Sequence, residues 1–309
     1  MDFRKRAPKK PIIRKLGTIA CDFVEATPIA YKEKLYRFEY VRPKKSNPAN
    51  DTGSSYFHFV DLSDNSVVTE LGKNHHLGCA YTDGEFMYAS GIRDTWGGDT
   101  FTIFRSSDLT VWEEFPTTFP GWSIFNTGIC KMNGIYTLLM EIDSPVEEAG
   151  TSPFTFRFAQ SDDMINWRLT PSDCVFQKDR YAGGPAIYTF PHDPNYYVLY
   201  LEALPGGFYT TCIARGTDLK TWEYSPVNPV LMYDAAEDKR IANPFLTLAE
   251  RERIEFAHDV NNSDMELCEW NGQTIITYSW GNQHGNEFLA EAVYDGTPHE
   301  FLSGFFYND

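Results

Sequence analysis

The sequence predicts an all-β chain folded as a five-bladed β-propeller. Three observations predict it: a turn motif repeated at a constant interval, five hairpin signatures of one kind, and no long amphipathic helix. The turn motif occupies residues 105–112, 160–167 and 215–222, each copy carrying an Asp four residues before a Trp. The tryptophans stand at 112, 167 and 222, 55 residues apart in both intervals. An Asp in that place suits a tight turn, because its side chain bonds backbone ahead of it while the Trp caps a core at the next strand. A β-sandwich is the rival, but sandwich strands do not normally repeat one turn at a fixed spacing.

The hairpins pair residues 27–31 with 34–38, 77–81 with 84–88, 127–131 with 134–138, 184–188 with 196–200, and 265–269 with 272–276. Asp83-Gly84, Asn133-Gly134 and Asn271-Gly272 are dipeptides that two-residue hairpins favour, since both central residues need positive φ. One domain over 1–309 follows, with blades at about 22–72, 73–122, 123–178, 179–232 and 258–296. The long last interval contains a capping box, Thr247 with Glu250, ahead of a short helix. A second, Thr297 with Glu300 and Pro298 at the first helical position, starts a terminal turn. Residues near 12–20 supply the strand that the fifth blade lacks and close the ring.

Composition narrows the function. Apolar residues make up 42% and aromatics 16%, enough for a packed core rather than disorder. A net charge of −16 opposes any phosphate-tracking surface, so nucleic acid is not an expected partner. No apolar run has the ~18 residues of a membrane helix, and the basic opening lacks a signal-peptide core. The expectation is a cytoplasmic protein without a membrane partner, with homo-oligomerisation left open. Six scattered cysteines with no CxxC pair read as buried free thiols.

Antiparallel blades place the start of each first strand and the end of each second strand on one face, the mouth of a funnel. Before the first strands stand Asp22 and Glu25, His75 and His76, Asn126, Gly183, and Asn261, Asn262 and Asp264. After the second strands stand Glu39 and Arg42, Arg93 and Asp94, Glu141 and Asp143, Glu202, and Trp280, Gln283, His284 and Glu287. Carboxylates, His and Arg gathered in a concave site perturb one another's pKa, as acid-base chemistry requires. Some of them have a structural reading: Glu39 and Arg42 as a rim pair, one of the two histidines as a backbone orienter, residues 261–264 as a turn, Trp280 as core. Glu141 and Glu202 end apolar runs, where a carboxyl is costly unless used or paired.

The hairpins, the Asp-x-x-x-Trp turns, and the segments Asn261-Asn262-Ser263-Asp264 and 278–283 together resemble the five-bladed propeller glycosidases of families 43, 32, 62 and 117. The resemblance implies a glycoside hydrolase, exo-acting on a small carbohydrate, with Asp22 or Glu25 as general base. The position of its general acid is Gly183 here, so the acid comes from elsewhere: Glu202 first, Glu141 or His284 behind it. Arg93, Arg180 and Asn126 would bind hydroxyls or a substrate carboxylate, Trp280 would stack on a ring, and Asp264, Gln283 and His284 would complete the substrate site. No cofactor is required, although His76 would help to hold an optional central divalent cation, Ca or Mg. The alternatives are a propeller that binds carbohydrate without turning it over, or a lyase or isomerase using His and Arg on an acidic sugar.

Overall fold

The computed structural model describes residues 8–43, 53–93, 96–152, 154–282 and 286–307. Those residues are mostly β, arranged in four hydrogen-bonded sheets. The first sheet is a meander of Ala26–Tyr31, Lys34–Val41, Tyr56–Asp61 and Ser66–Leu71. In the second, His75–His76 and Ala80–Thr82 both pair with Met87–Arg93, followed by Thr100–Ser106 and Glu113–Thr118. The third comprises Ser123–Met132, Ile135–Ser144, Thr155–Ser161 and Arg168–Leu169. The last sheet has two four-stranded halves. One holds Gly183–Tyr188, Tyr196–Leu204, Phe208–Gly216 and Glu223–Tyr224; the other holds Asn261–Trp270, Gln273–Gly281, Glu287–Tyr294 and Arg14–Cys21. A single parallel pair, Tyr209 with Asn261, joins the halves.

The strands Ala26–Tyr31, Ala80–Thr82, Ser123–Met132, Gly183–Tyr188 and Asn261–Trp270, each the first of its hairpin, converge on one cavity. Pro28, Tyr81, Ile129, Ile187 and Leu267, one from each, line a common cavity of about 230 Å³. The repeated turn stitches the units together. Asp108, Asp163 and Asp218 each accept two backbone N–H bonds at 2.7–3.0 Å through Oδ1. Leu109, Met164 and Leu219 follow at positive φ. Each Trp then packs on the third strand of the preceding unit: Trp112 stacks on Phe59 at 5.6 Å, Trp167 meets Phe101 edge-on at 6.1 Å, and Trp222 stacks on Phe158 at 5.8 Å.

Asn133-Gly134 and Asn271-Gly272 form the two-residue hairpins that their sequences predict, with all four residues at positive φ. Asp83-Gly84 does not. Its strands pair from Thr82 to Met87, and the Asp83 carboxylate caps the wider loop by accepting the N–H groups of Glu85 and Phe86. Both predicted helix starts have capping boxes, over Leu248–Phe256 and Pro298–Ser303. All six cysteines are free thiols.

Arg14–Cys21 pairs antiparallel with Glu287–Tyr294, and a buried polar node fastens it from below. Lys15 Nζ donates to Asp238 Oδ1 at 2.8 Å, Asn262 Oδ1 at 2.7 Å and the Met232 carbonyl at 2.7 Å. Tyr278 Oη and Asn262 Nδ2 complete the shell of Asp238. An ammonium with three acceptors and a carboxylate with several donors satisfy what burial would otherwise penalise.

Candidate active site

The first strands are broken at one level. Three carry bulges, where two residues oppose one: Phe125 and Asn126 face Glu141, Gly184 and Pro185 face Tyr200, and Asp264 and Met265 face Tyr278. A fourth is interrupted between His76 and Ala80, with Leu77 at φ 52°. In the first unit Glu25 lies just ahead of the strand at φ 54°. Bulges re-aim side chains, and here they deliver Asn126 and Asp264 to one pocket of about 200 Å³, which Glu25 reaches from its positive-φ position.

Glu141, from the second strand of the third unit, joins them there. Its Oε2 accepts Asn126 Nδ2 at 2.9 Å and the Gly184 N–H at 3.1 Å. Burial pushes its carboxyl up to about 8 against these two bonds, with Asp264 adding to the rise. Asp264 accepts Ser263 Oγ at 2.7 Å; burial, with Glu287 adding to it, raises its carboxyl to about 6. Glu25 is pushed well above the usual carboxylate range by burial and then by Asp264. A smaller cavity of about 10 Å³, close to one water, continues downward between Glu25, Asp264 and Glu266. Glu266 lines the common cavity too, and burial lifts it to about 8.

An aromatic arc lines the same pocket. Trp96 meets Phe125 at 5.1 Å, Phe125 meets Phe154 at 4.9 Å, and Phe154 meets Tyr181 at 5.9 Å. Gly183 lies behind Tyr181 and Glu141, which line the pocket. A Cβ there would stand 2.6 Å from Tyr181 Oη and 3.5 Å from Glu141 Oε1, so hydroxyl and carboxyl occupy the space that a larger residue would need.

The other sequence candidates lie elsewhere. Asp22 is buried in a two-pronged pair with Arg253, at 2.6 and 2.9 Å, outside the pocket lining. Glu202 follows Leu201, which does line the pocket, and faces Arg180 Nε at 3.5 Å. Arg180 is exposed, lies over the Tyr224 ring and binds Gln177. Arg93 is exposed at a strand end. His76 is buried and stacks on Trp96 at 6.3 Å. Trp280 is fully buried, stacks on Phe288 at 4.4 Å and donates Nε1 to Thr18, which makes it core rather than platform. Gln283, His284 and Asp94 lie outside the described residues. Among the described residues no group of three or more His, Cys, Asp or Glu is disposed to hold a metal ion, and no chemical step is assigned to one.

The aromatic arc escaped the sequence reading. Trp96, Phe125, Phe154 and Tyr181 sit in connecting segments and at a bulge, where strand alternation gives no direction to a side chain.

Neither a protein-family model nor a curated protein matches this sequence. Solved structures do match. One described as a glycoside hydrolase superposes with a TM-score of 0.63 at 12% identity, over 92% of each chain. The α-L-arabinofuranosidase PaAbf62A of Podospora anserina, solved with cellotriose, gives 0.59 at 8% identity, over 94% of this chain and 99% of that one. A thermostable family 43 glycoside hydrolase gives 0.59 at 11% identity, over 89% and 90%. The chain therefore shares the fold of the propeller glycoside hydrolases, as its motifs suggested.

Proposed function

We propose that the protein is a five-bladed propeller glycoside hydrolase, exo-acting on a small oligosaccharide or glycoside, with Glu141 as general acid and Asp264 as its carboxylate partner. One observation carries the assignment. Both donors to Glu141 reach Oε2, so the proton of the neutral acid resides on Oε1, the oxygen on the Tyr181 side. Held above the usual range, that proton is present at neutral pH and available to a glycosidic oxygen as its C–O bond breaks. Asp264, raised only to about 6, is ionised at the same pH and activates the attacking water. Glu202, the first choice from sequence, gives way to Glu141 because it is not part of the lining.

The pocket volume is below the ~300 Å³ at which ligand sites usually begin, which suits a single sugar ring and hence an exo mode. The aromatic arc offers that ring apolar faces. Five first strands converging on one cavity support the five-bladed count. Inversion at the anomeric carbon is the expected stereochemistry, read from the first-formed anomer by NMR. Activity should follow a bell, rising as Asp264 ionises near 6 and falling as Glu141 ionises near 8. A screen of nitrophenyl glycosides and short oligosaccharides against wild type and Glu141→Gln tests the assignment: wild-type release lost in the variant supports it, and equal release in both refutes it.

The glycine at 183 favours one second reading, a propeller that binds carbohydrate without hydrolysing it. Thermal stabilisation by a sugar together with silence in every turnover assay would establish that reading instead.

A further inference from the structure

The pocket is chemically one-sided. Glu25, Glu141, Asp264 and Glu287 face it, and no Lys, Arg or His stands among its described lining residues. The cavity beneath adds Glu266 and, among its described lining residues, again no cation. Arg42 is the cation whose charge reaches Glu25, and its Nη2 already donates to Glu287 Oε2 at 3.2 Å and to the Asp22 carbonyl at 3.0 Å. Glu25 itself is incomplete. Its Oε2 is sealed from solvent and meets no hydrogen-bond donor among the described residues, a costly state for a buried oxygen unless a ligand brings the donor.

Three kinds of ligand compete for such a site. An acidic sugar would set another carboxylate beside ionised Asp264 and the Arg42-bonded Glu287, with no cation offered by the described lining, and is disfavoured. A bare metal ion needs oxygens converging at ~2.0–2.6 Å, whereas these carboxyls are spread around a cavity of about 200 Å³ and form no metal-binding group. A sugar bearing an ammonium group meets every requirement: donors for Glu25, a positive charge for the acidic wall, and ring C–H faces for Trp96 and Phe125.

Resting on the hydrolase reading above, we propose that the substrate class is glycosides of amino sugars with a free, protonated amine, and that Glu25 receives that amine. The bound ammonium offsets the burial, and after it the repulsion from Asp264 and Glu287, that resist ionisation of Glu25. Glu25 therefore loses its proton to the buffer as the sugar binds. Affinity then rises with pH until the amine itself deprotonates, and it weakens with added salt.

The test is calorimetry at neutral pH with D-glucosamine and D-galactosamine against D-glucose, D-galactose and D-glucuronate, in two buffers of different ionisation enthalpy. Each amino sugar is expected to bind about tenfold more tightly than its neutral parent, with proton release. Glu25→Gln should remove that preference while the melting temperature holds. Glu287→Gln, which frees Arg42 toward the pocket, should weaken the preference independently. Equal binding of amino and neutral sugars, or tightest binding of glucuronate, overturns the proposal; so does displacement of the amine by Ca²⁺ or Mg²⁺ with the same proton release. The two readings fail separately. An amino-sugar preference with no hydrolysis of amino-sugar glycosides upholds this ligand class and refutes the hydrolase, while hydrolysis of neutral glycosides without any preference does the reverse.

Discussion

Asp238 and Glu25 are both carboxyls withdrawn from bulk water, and they are used in opposite ways. Asp238 receives the Lys15 ammonium, the Tyr278 hydroxyl, the Asn262 amide and the Asp234 N–H, donors that answer its charge even with the Asp259 carboxyl beside it. Glu25 leaves an oxygen unanswered and faces other carboxyls. The same contrast holds over three residues of chain, where Asp22 is clamped by Arg253 and Glu25 is not. A buried carboxyl with a full shell holds the fold together; one with an empty place holds it for something else. The difference lies in the partners, since the residue type is common to both regions.

The sharpest way to separate the regions is to remove one group from each. Glu141→Gln should cost roughly 10²–10⁴-fold in turnover, the usual worth of a general acid, with the melting curve preserved. Lys15→Met should do the converse: breaking a buried pair leaves Asp238 uncompensated at roughly 3–5 kcal/mol, read by denaturant unfolding, while turnover per folded molecule is unchanged. Loss of activity per folded molecule in Lys15→Met would erase the distinction.

A smaller effect concerns pH. Glu141 and Glu266 are both raised to about 8, so the folded state holds protons that the unfolded chain has already released. Their contribution to stability is complete below the ordinary carboxylate value of about 4.3 and is lost as pH climbs through about 8. Melting temperature should therefore fall from pH 5 to pH 9, and Glu266→Gln should flatten that fall. The smallest effect belongs to a charge pair in neither region. Arg168 and Asp162 meet at 2.8 Å with both side chains well exposed, and Arg168→Ala should leave the melting temperature where it was.

Much of the scaffold was legible in the sequence because its signals are local. Asp108, Asp163 and Asp218 announce their turns within four residues, and Asn133-Gly134 and Asn271-Gly272 fix hairpins by the φ values they tolerate. Asp83-Gly84 misled because the Asp83 side chain holds a wider loop instead. The site was legible only in part. Position at a strand end was enough to single out Glu25, Asn126, Glu141 and Asp264. It did not separate them from Glu202 and Trp280, whose directions depend on which side of a strand faces the pocket and on where each bulge falls. Bulges leave no mark in composition, and the rings of Trp96 and Tyr181 reach the pocket from segments without periodicity.

The pairing of Arg14–Cys21 with Glu287–Tyr294 has a consequence for how the molecule comes into being. On the ribosome the first of these strands emerges long before its partner, with the strands of the other units between them. An edge of β backbone thus waits unpaired while the four earlier units take shape. Closing so long a loop is slow, and a waiting edge invites pairing with other chains. Lys15, charged and placed on that edge, keeps it wet until Asp238 and Asn262 arrive to take the ammonium in.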